Sequence, residues 1–452
     1  MPEQNYMSPK RKFLLDLIEK PDEAFNISAS ELAHLRLAAA QELFEERVQQ
    51  IPLLKHRAEE AGISRIESFE DLVPLLFAHT TYKSYPASFV EKGQWERLLK
   101  WLDALSVPDL SQVDMTGVSN VDEWLDRLWA ADHRVLATSG SSGKCSFLNH
   151  TAGDQDNKRR HFKYAAAWPV QVASKDRPVF WMGQIEGPNS AVEAGQFAMA
   201  NWGREGAIFM LTQEPLRISE VSRMAAMRKR MADGSATPDE IAAFEAESAV
   251  KGARGNEEMR AFADKVLDHR HEPIYLIGFW AQHLAIIERA RERGIADGDF
   301  HPNSIIGAGG GVKGIPLPPD YRERVNTFYG NVLRPGLYAM TELSQPMPRC
   351  EKGHYHIPPG LIVLLLDDSG EKLVEPIGLQ SGRFAFLDLA YEGRWGGLIT
   401  GDKVTVDFAS KCECGRHGPV IHDSITRYTQ LGQDDNIGCA GTIDAYIRGA
   451  IA

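Results

Sequence analysis

The chain has 452 residues, 43% of them hydrophobic, and 50 Lys+Arg against 62 Asp+Glu give a formal net charge of −12. That size suits a sizeable core spread over two or three packed units, and the acidic balance excludes broad electrostatic attraction to nucleic acid or anionic membrane, leaving small molecules and proteins as expected partners. No apolar run is long enough to span a bilayer and the polar start Met1 to Lys12 is no secretory signal, so the expectation is a cytoplasmic protein.

From Ser8 to about Asp132 the pattern is mainly helical. Ser28-Ala29-Ser30-Glu31 reads as a capping box opening a helix whose Leu32, Leu35, Leu43 and Phe44 share an apolar face. Ser68 to Val73 starts a short element limited by Pro74, and the Trp-rich stretch Trp95 to Leu105 reads as packing. Val135-Leu136-Ala137 is strand-like and runs into Thr138-Ser139-Gly140-Ser141-Ser142-Gly143-Lys144, a loop rich in N–H, hydroxyl and ammonium donors that suits a phosphate. It lacks the spacing of a nucleoside triphosphatase P-loop, and a plain Ser/Gly surface turn is the competing reading. Pro178–Gly183, Ala207–Leu211 and Pro273–Gly278 are predicted buried strands that alternate with helices, as in a layered α/β domain. Between them, 218–269 is charged and alanine-rich, with a helix-start signature at Ser235 to Glu240, and predicts a solvated helical pair. An amphipathic run through Leu284, Ile287 and Arg291 ends at Gly294.

Three further motifs follow. Ser304 to Gly314 is a strand running into Gly309, Gly310 and Gly311, which allows close approach of backbone to a flat ligand. Tyr338-Ala339-Met340-Thr341-Glu342 sets a hydroxyl beside a carboxylate, a pair able to hold a phosphate and its magnesium ion. Thr400-Gly401-Asp402 ends an apolar run with a carboxylate that can accept from a ribose diol. Each is common alone at turns and helix starts.

In this order the four motifs resemble those of the adenylate-forming superfamily of acyl-CoA synthetases, adenylation domains and luciferases, over roughly Val135 to Asp435. The resemblance implies layered α/β sheets with helices, a smaller β-rich subdomain and a helical N-terminal segment. It implies that Thr138, Ser139, Gly140, Ser141, Ser142, Gly143 and Lys144 grip the ATP phosphates, and that Gly309, Gly310 and Gly311 lie along the adenine with Tyr338 beside the nucleotide. Thr341 would contact the α-phosphate, Glu342 hold Mg²⁺ and Asp402 bind the ribose. In one departure, Lys144 directly follows Gly143, and Ser146 stands where the family's loop lysine would be.

Two branches of the superfamily look nearest. Cys350, His356, Cys412 and Cys414 resemble a structural zinc site of some phenylacetate-CoA ligase relatives; three thiolates and an imidazole are a sound tetrahedral set, with His354 and His417 as competing ligands and free thiols on a turn as the bland alternative. With Cys145 and Cys439 the five cysteines are odd in number and clustered, which suits reduced thiols or a metal better than disulfides. Gly309 to Lys313 and Leu431 to Cys439 resemble segments of the acyl-protein synthetase of bacterial bioluminescence operons, Cys439 falling where that family carries its acyl-accepting cysteine, with Gln433 in place of an arginine. Only a short tail follows Cys439, where acyl-CoA synthetases continue into a small domain with a catalytic lysine; Lys313 and then Lys403 are the candidate substitute cations.

The expected division is a helical region over 1–132, an α/β core 133–345 with the insert 218–269, a β-rich subdomain 346–431 with the zinc site, and a tail 432–452. The expected function is ATP-dependent conversion of a carboxylic acid, a fatty acid by the second resemblance, to acyl-AMP, then transfer to a protein thiol and onward to a reductase or carrier protein. Catalytic roles fall to Cys439, Lys313 and Thr341. The alternatives are a shortened phenylacetate-CoA-ligase-like enzyme using CoA or an amine, and a non-catalytic acyl-adenylate or nucleotide binder.

Overall fold

The computed structural model describes residues 7–138, 144–169, 173–309, 316–431 and Ile437. These form two compact units: the first from 7–138, 144–169 and 337–431, the second from 173–336.

The chain opens in the first unit with helices α1 (Pro9–Asp16), α2 (Ala29–Gln50), α3 (Pro52–Ala61), α4 (Trp95–Asp103) and α5 (Val121–Ala130). The Ser28 hydroxyl accepts from the Glu31 N–H at 3.3 Å and so caps α2. Leu32, Leu43 and Phe44 are buried with Ala39 and Ala40, whereas Leu35 is only half-buried and Arg36 and Arg47 take places on the buried face. Arg36 can sit there because it donates to the carbonyls of Pro358 at 2.8 Å and Pro359 at 3.0 Å. Burial still penalises its charge, drawing its pKa down to about 10. The stretch after Ser68 forms a 3₁₀ helix, Glu70–Leu75, that contains Pro74, and Trp95 and Trp101 of α4 are core residues. Strand β1 (Phe77–Ala78) is followed by the pair β2 (Leu136–Ala137) and β3 (Phe147–Leu148), then by α6 (Ala152–Ala165), which opens with a capping box between Thr151 and Asp154.

The second unit is a wholly parallel sheet in the order β5-β4-β6-β7, with β4 Arg177–Trp181, β5 Gly203–Met210, β6 Tyr275–Phe279 and β7 Ile305–Gly309. Its helices are α7 (Ser190–Trp202), α8 (Ile218–Ala232), α9 (Pro238–Asp268), α10 (Trp280–Glu292) and α11 (Tyr321–Tyr329). Parallel strands need such crossovers, and the core between them and the sheet includes Phe180, Leu276, Ile306, Phe262, Ile286 and Phe328. Gly195 of α7 has a packing reason: a Cβ there would stand 2.5 Å from the Trp181 indole. Helix α9 starts with a Thr237–Glu240 capping box, and Gly294, at φ +69°, follows the end of α10.

Back in the first unit, β8 (Leu337–Tyr338) pairs with β9 (Met347–Pro348). A larger sheet then runs β10-β14-β13-β12-β11, from β10 Tyr355–His356, β11 Leu361–Leu366, β12 Leu379–Asp388, β13 Gly397–Asp407 and β14 Val420–Ile421, with β1 and β15 (Thr426–Arg427) also pairing with β13. The architecture is mixed α/β with several sheets. No helix among the described residues is long and apolar enough to cross a membrane.

Each unit buries a histidine in its neutral form. His161 of α6 donates from Nε2 to the Pro346 carbonyl at 2.9 Å. In α10, His283 donates from Nε2 to Gly307 O at 3.1 Å, and its Nδ1 accepts from the Tyr329 hydroxyl at 2.9 Å. Burial lowers both pKa values from 6.5 to about 4. Between pH 6.5 and 4 the unfolded chain takes up protons that the folded chain refuses, so stability is full above that window and falls through it by about 1.4 kcal/mol per pH unit for each histidine. Urea unfolding of wild type and His283→Gln from pH 7 to 4.5 should give the variant the shallower pH slope; equal slopes would remove His283 from this account.

Candidate active site

Asp402 stands where β13 pairs with β15, opposite Arg427. Its Oδ2 accepts from the Tyr338 hydroxyl at 2.8 Å and its Oδ1 faces Arg427 Nε at 3.2 Å. Its own N–H donates to Thr400 Oγ1 at 3.1 Å, and that hydroxyl in turn donates to Phe384 O at 2.7 Å. Burial and the Asp402 carboxylate push the Tyr338 phenol well above its ordinary pKa, so it stays a donor. Arg427, by contrast, is 61% exposed along its side chain. Sequence reading missed it, because a strand register rather than sequence spacing brings it to Asp402.

Thr341 and Glu342 lie half-buried in the turn after β8, closed by a Leu343 N–H to Met340 O bond of 3.1 Å. The Glu342 carbonyl accepts from the Arg394 guanidinium at 2.6 Å. Thr138 caps the end of the β2–β3 pair: its N–H donates to Ser146 O at 3.1 Å and its hydroxyl accepts from Ser146 N–H at 3.0 Å. The loop residues Ser139, Gly140, Ser141, Ser142 and Gly143 lie outside the described residues. Lys144 donates to the Tyr85 carbonyl, its ammonium 4.3 Å from the centre of the Tyr85 ring. Lys403 lies 3.6 Å from Asp368.

Gly309 ends β7 in the second unit, where an added Cβ would meet nothing within 4 Å. Gly310, Gly311, Lys313 and Cys439 lie outside the described residues.

Cys350, His356, Cys412 and Cys414 come together in the first unit, their ligand atoms all within 4.8 Å of one another. One turn occurs twice. The Cys350 N–H donates to His354 O and the Gly353 N–H to Cys350 O, both at 2.9 Å; the Cys412 N–H donates to Arg416 O and the Gly415 N–H to Cys412 O, again at 2.9 Å. Gly353 and Gly415 supply the left-handed residue each turn needs, at φ +84° and +88°. His356 reaches the cluster from β10, which pairs with β14. The competing ligands His354 and His417 both fall outside the set, although His354 Nδ1 lies 3.3 Å from Cys412 Sγ with its ring stacked on His422. Burial drives the Cys412 thiol up to about 12; it pushes Cys414 up as well, but hydrogen bonds from the Arg416 backbone and side chain hold that thiol below its usual value. Ligands about 2.3 Å from a tetrahedral ion lie about 3.7 Å apart, about an ångström under the 4.8 Å that bounds these separations. The donor set fits a soft or borderline divalent metal.

No family model and no curated protein matches the chain. Among solved structures it is similar to 2-hydroxyisobutyryl-CoA ligase. In the open conformation with 2-HIB-AMP and CoA, the TM-score is 0.56 at 14% identity, over 90% of this chain and 72% of that one. The thioesterification-state complex with 2-HIB-AMP and CoA gives 0.53, also at 14% identity, over 90% and 70%. A postadenylation-state complex with R3-HIB-AMP gives 0.52 at 14%, over 94% and 72%. The chain therefore shares the fold of that ligase.

Proposed function

We propose that this chain uses ATP and Mg²⁺ to activate a carboxylic acid as its acyl adenylate, then passes the acyl group to a thiol. One observation carries the reading: the 2.8 Å bond from Tyr338 to Asp402 joins two of the four ordered motifs across 64 residues, with Thr341 and Glu342 in the turn beyond Tyr338. A carboxylate is a poor electrophile, so its oxygen attacks the α-phosphorus, the bond to the bridging oxygen breaks and pyrophosphate leaves with that electron pair. The thiolate then adds to the acyl carbonyl, the C–S bond forms and AMP departs. In this proposal Asp402 accepts from the ribose, Thr341 donates to the α-phosphate and Glu342 holds Mg²⁺, which neutralises phosphate charge. The loop Thr138 to Lys144 cradles phosphate, Gly309 to Gly311 flank the adenine, and Lys313 supplies the further cation.

The acceptor we propose is a protein thiol, Cys439, with a reductase or carrier protein downstream and a fatty acid as substrate; the resemblance of Leu431 to Cys439 supports this. A second reading, CoA as acceptor, is supported by likeness to a ligase solved with 2-HIB-AMP and CoA. Carboxylate-dependent exchange of pyrophosphate into ATP, across fatty and aromatic acids, tests the first half-reaction. Exchange should appear with at least one acid and fall about 10- to 100-fold in Glu342→Gln; no exchange with any acid would leave a nucleotide binder. With labelled acid, acyl-protein that disappears in Cys439→Ser supports the protein thiol, and acyl-CoA formed by that variant supports CoA.

The cluster of Cys350, His356, Cys412 and Cys414 is proposed to hold a structural Zn²⁺ that staples the two turns. Metal analysis of the purified chain should give about one zinc per chain, lost in Cys412→Ser. A value near zero in wild type would end this assignment.

A further inference from the structure

The turn that carries Thr341 and Glu342 is gripped from behind by two fully buried charges, Asp388 and Arg394, both beside the β12–β13 connection. Asp388 Oδ2 accepts from the N–H of Ser344 at 2.7 Å and of Gln345 at 3.3 Å; its Oδ1 accepts from the Gln345 side-chain amide at 2.8 Å and from Ala390 N–H at 3.0 Å. Arg394 donates to the Glu342 carbonyl at 2.6 Å, to the Tyr82 hydroxyl at 3.2 Å and to Trp395 O at 3.3 Å, with its guanidinium 3.7 Å from the centre of the Tyr391 ring. One end of the turn is thus tied through its carbonyl to a cation and the other through its amides to an anion.

Neither charge is needed for packing, since burying an ion costs more than burying an apolar side chain of the same volume. Both direct their charge at the backbone of 342–345, and the connection that follows Asp388 and bears Arg394 is itself fixed. Asp154 of α6 accepts from the N–H groups of Glu392 at 2.6 Å and Gly393 at 3.0 Å, and Arg11 of α1 donates to the carbonyls of Leu389 at 3.1 Å and Tyr391 at 3.2 Å. We propose that Asp388 and Arg394 are positioning residues that fix the direction in which Thr341 and Glu342 project toward the nucleotide and its Mg²⁺. This rests on the nucleotide role given to those two residues above.

Two measurements test it. In the protein without ligand, hydrogen–deuterium exchange over 341–345 should quicken in Asp388→Asn and Arg394→Lys while the strands β11 to β13 keep their protection. Unchanged exchange in that turn would overturn the proposal whatever the enzyme's activity. In the pyrophosphate exchange assay, the apparent affinity for Mg²⁺ at fixed ATP should weaken about 10-fold or more, with the KM for the acid unchanged. A variant that merely folded less well would lower kcat and leave every KM alone, and that outcome also overturns it. Wild type with no exchange at all would remove the proposed function and leave the hydrogen-exchange arm to decide. Should Asp388→Asn fail to fold, Arg394→Lys carries both measurements, because it keeps the charge and loses the fork.

Discussion

Irregular backbone buried in the first unit has to find partners for its amides and carbonyls, and the unit meets that need with buried charged side chains aimed at the main chain. Arg36 serves the carbonyls of Pro358 and Pro359, Arg383 those of Asp368 and Thr400, and Arg11 those of Leu389 and Tyr391. Asp154 and Asp388 do the same for amides. Fixed loops follow from this: the Thr341–Glu342 turn and the connection behind it are irregular yet fully specified.

Elements with a strong period were legible in the sequence. The four parallel strands, the helical pair within 218–269 and the capped start of α2 come from runs and caps that one segment defines alone. The metal-ligand cluster was legible too, because each of its two segments carries two closely spaced donors, Cys350 with His356 and Cys412 with Cys414. His356 is preferred over His354 and His417 by the resemblance alone; what places it is the pairing of β10 with β14, which no local pattern states. The buried place of Arg36 on α2 is set the same way, since its partners lie far along the chain, at Pro358 and Pro359. Arg427, Asp388 and Arg394 belong to this class, since each acts across a strand register or a loop.

The first unit joins its chemistry by pairings between distant segments. Tyr338 reaches Asp402 because β8 delivers the phenol to the site where β13 pairs with β15, and the carboxylate is then shared between a buried neutral donor and an exposed cationic one. The phenol fixes the carboxylate's orientation. The guanidinium, in water, is the partner held at smaller cost to break.

The helical pair α8–α9 has a different character from the sheet it is attached to. Of the 31 residues of α9, only Phe262, Ala263, Val266 and Leu267 are buried, and towards its start the pair is tied across by Arg223–Glu247, Arg230–Glu240 and Lys251–Glu220. Exposed pairs of this kind contribute little and weaken as salt screens them. The outer turns of this arm can therefore fray in brine, or be cut by a protease, while β4 to β7 stay folded, and it is there that the chain can accept an insertion at least cost to the sheet.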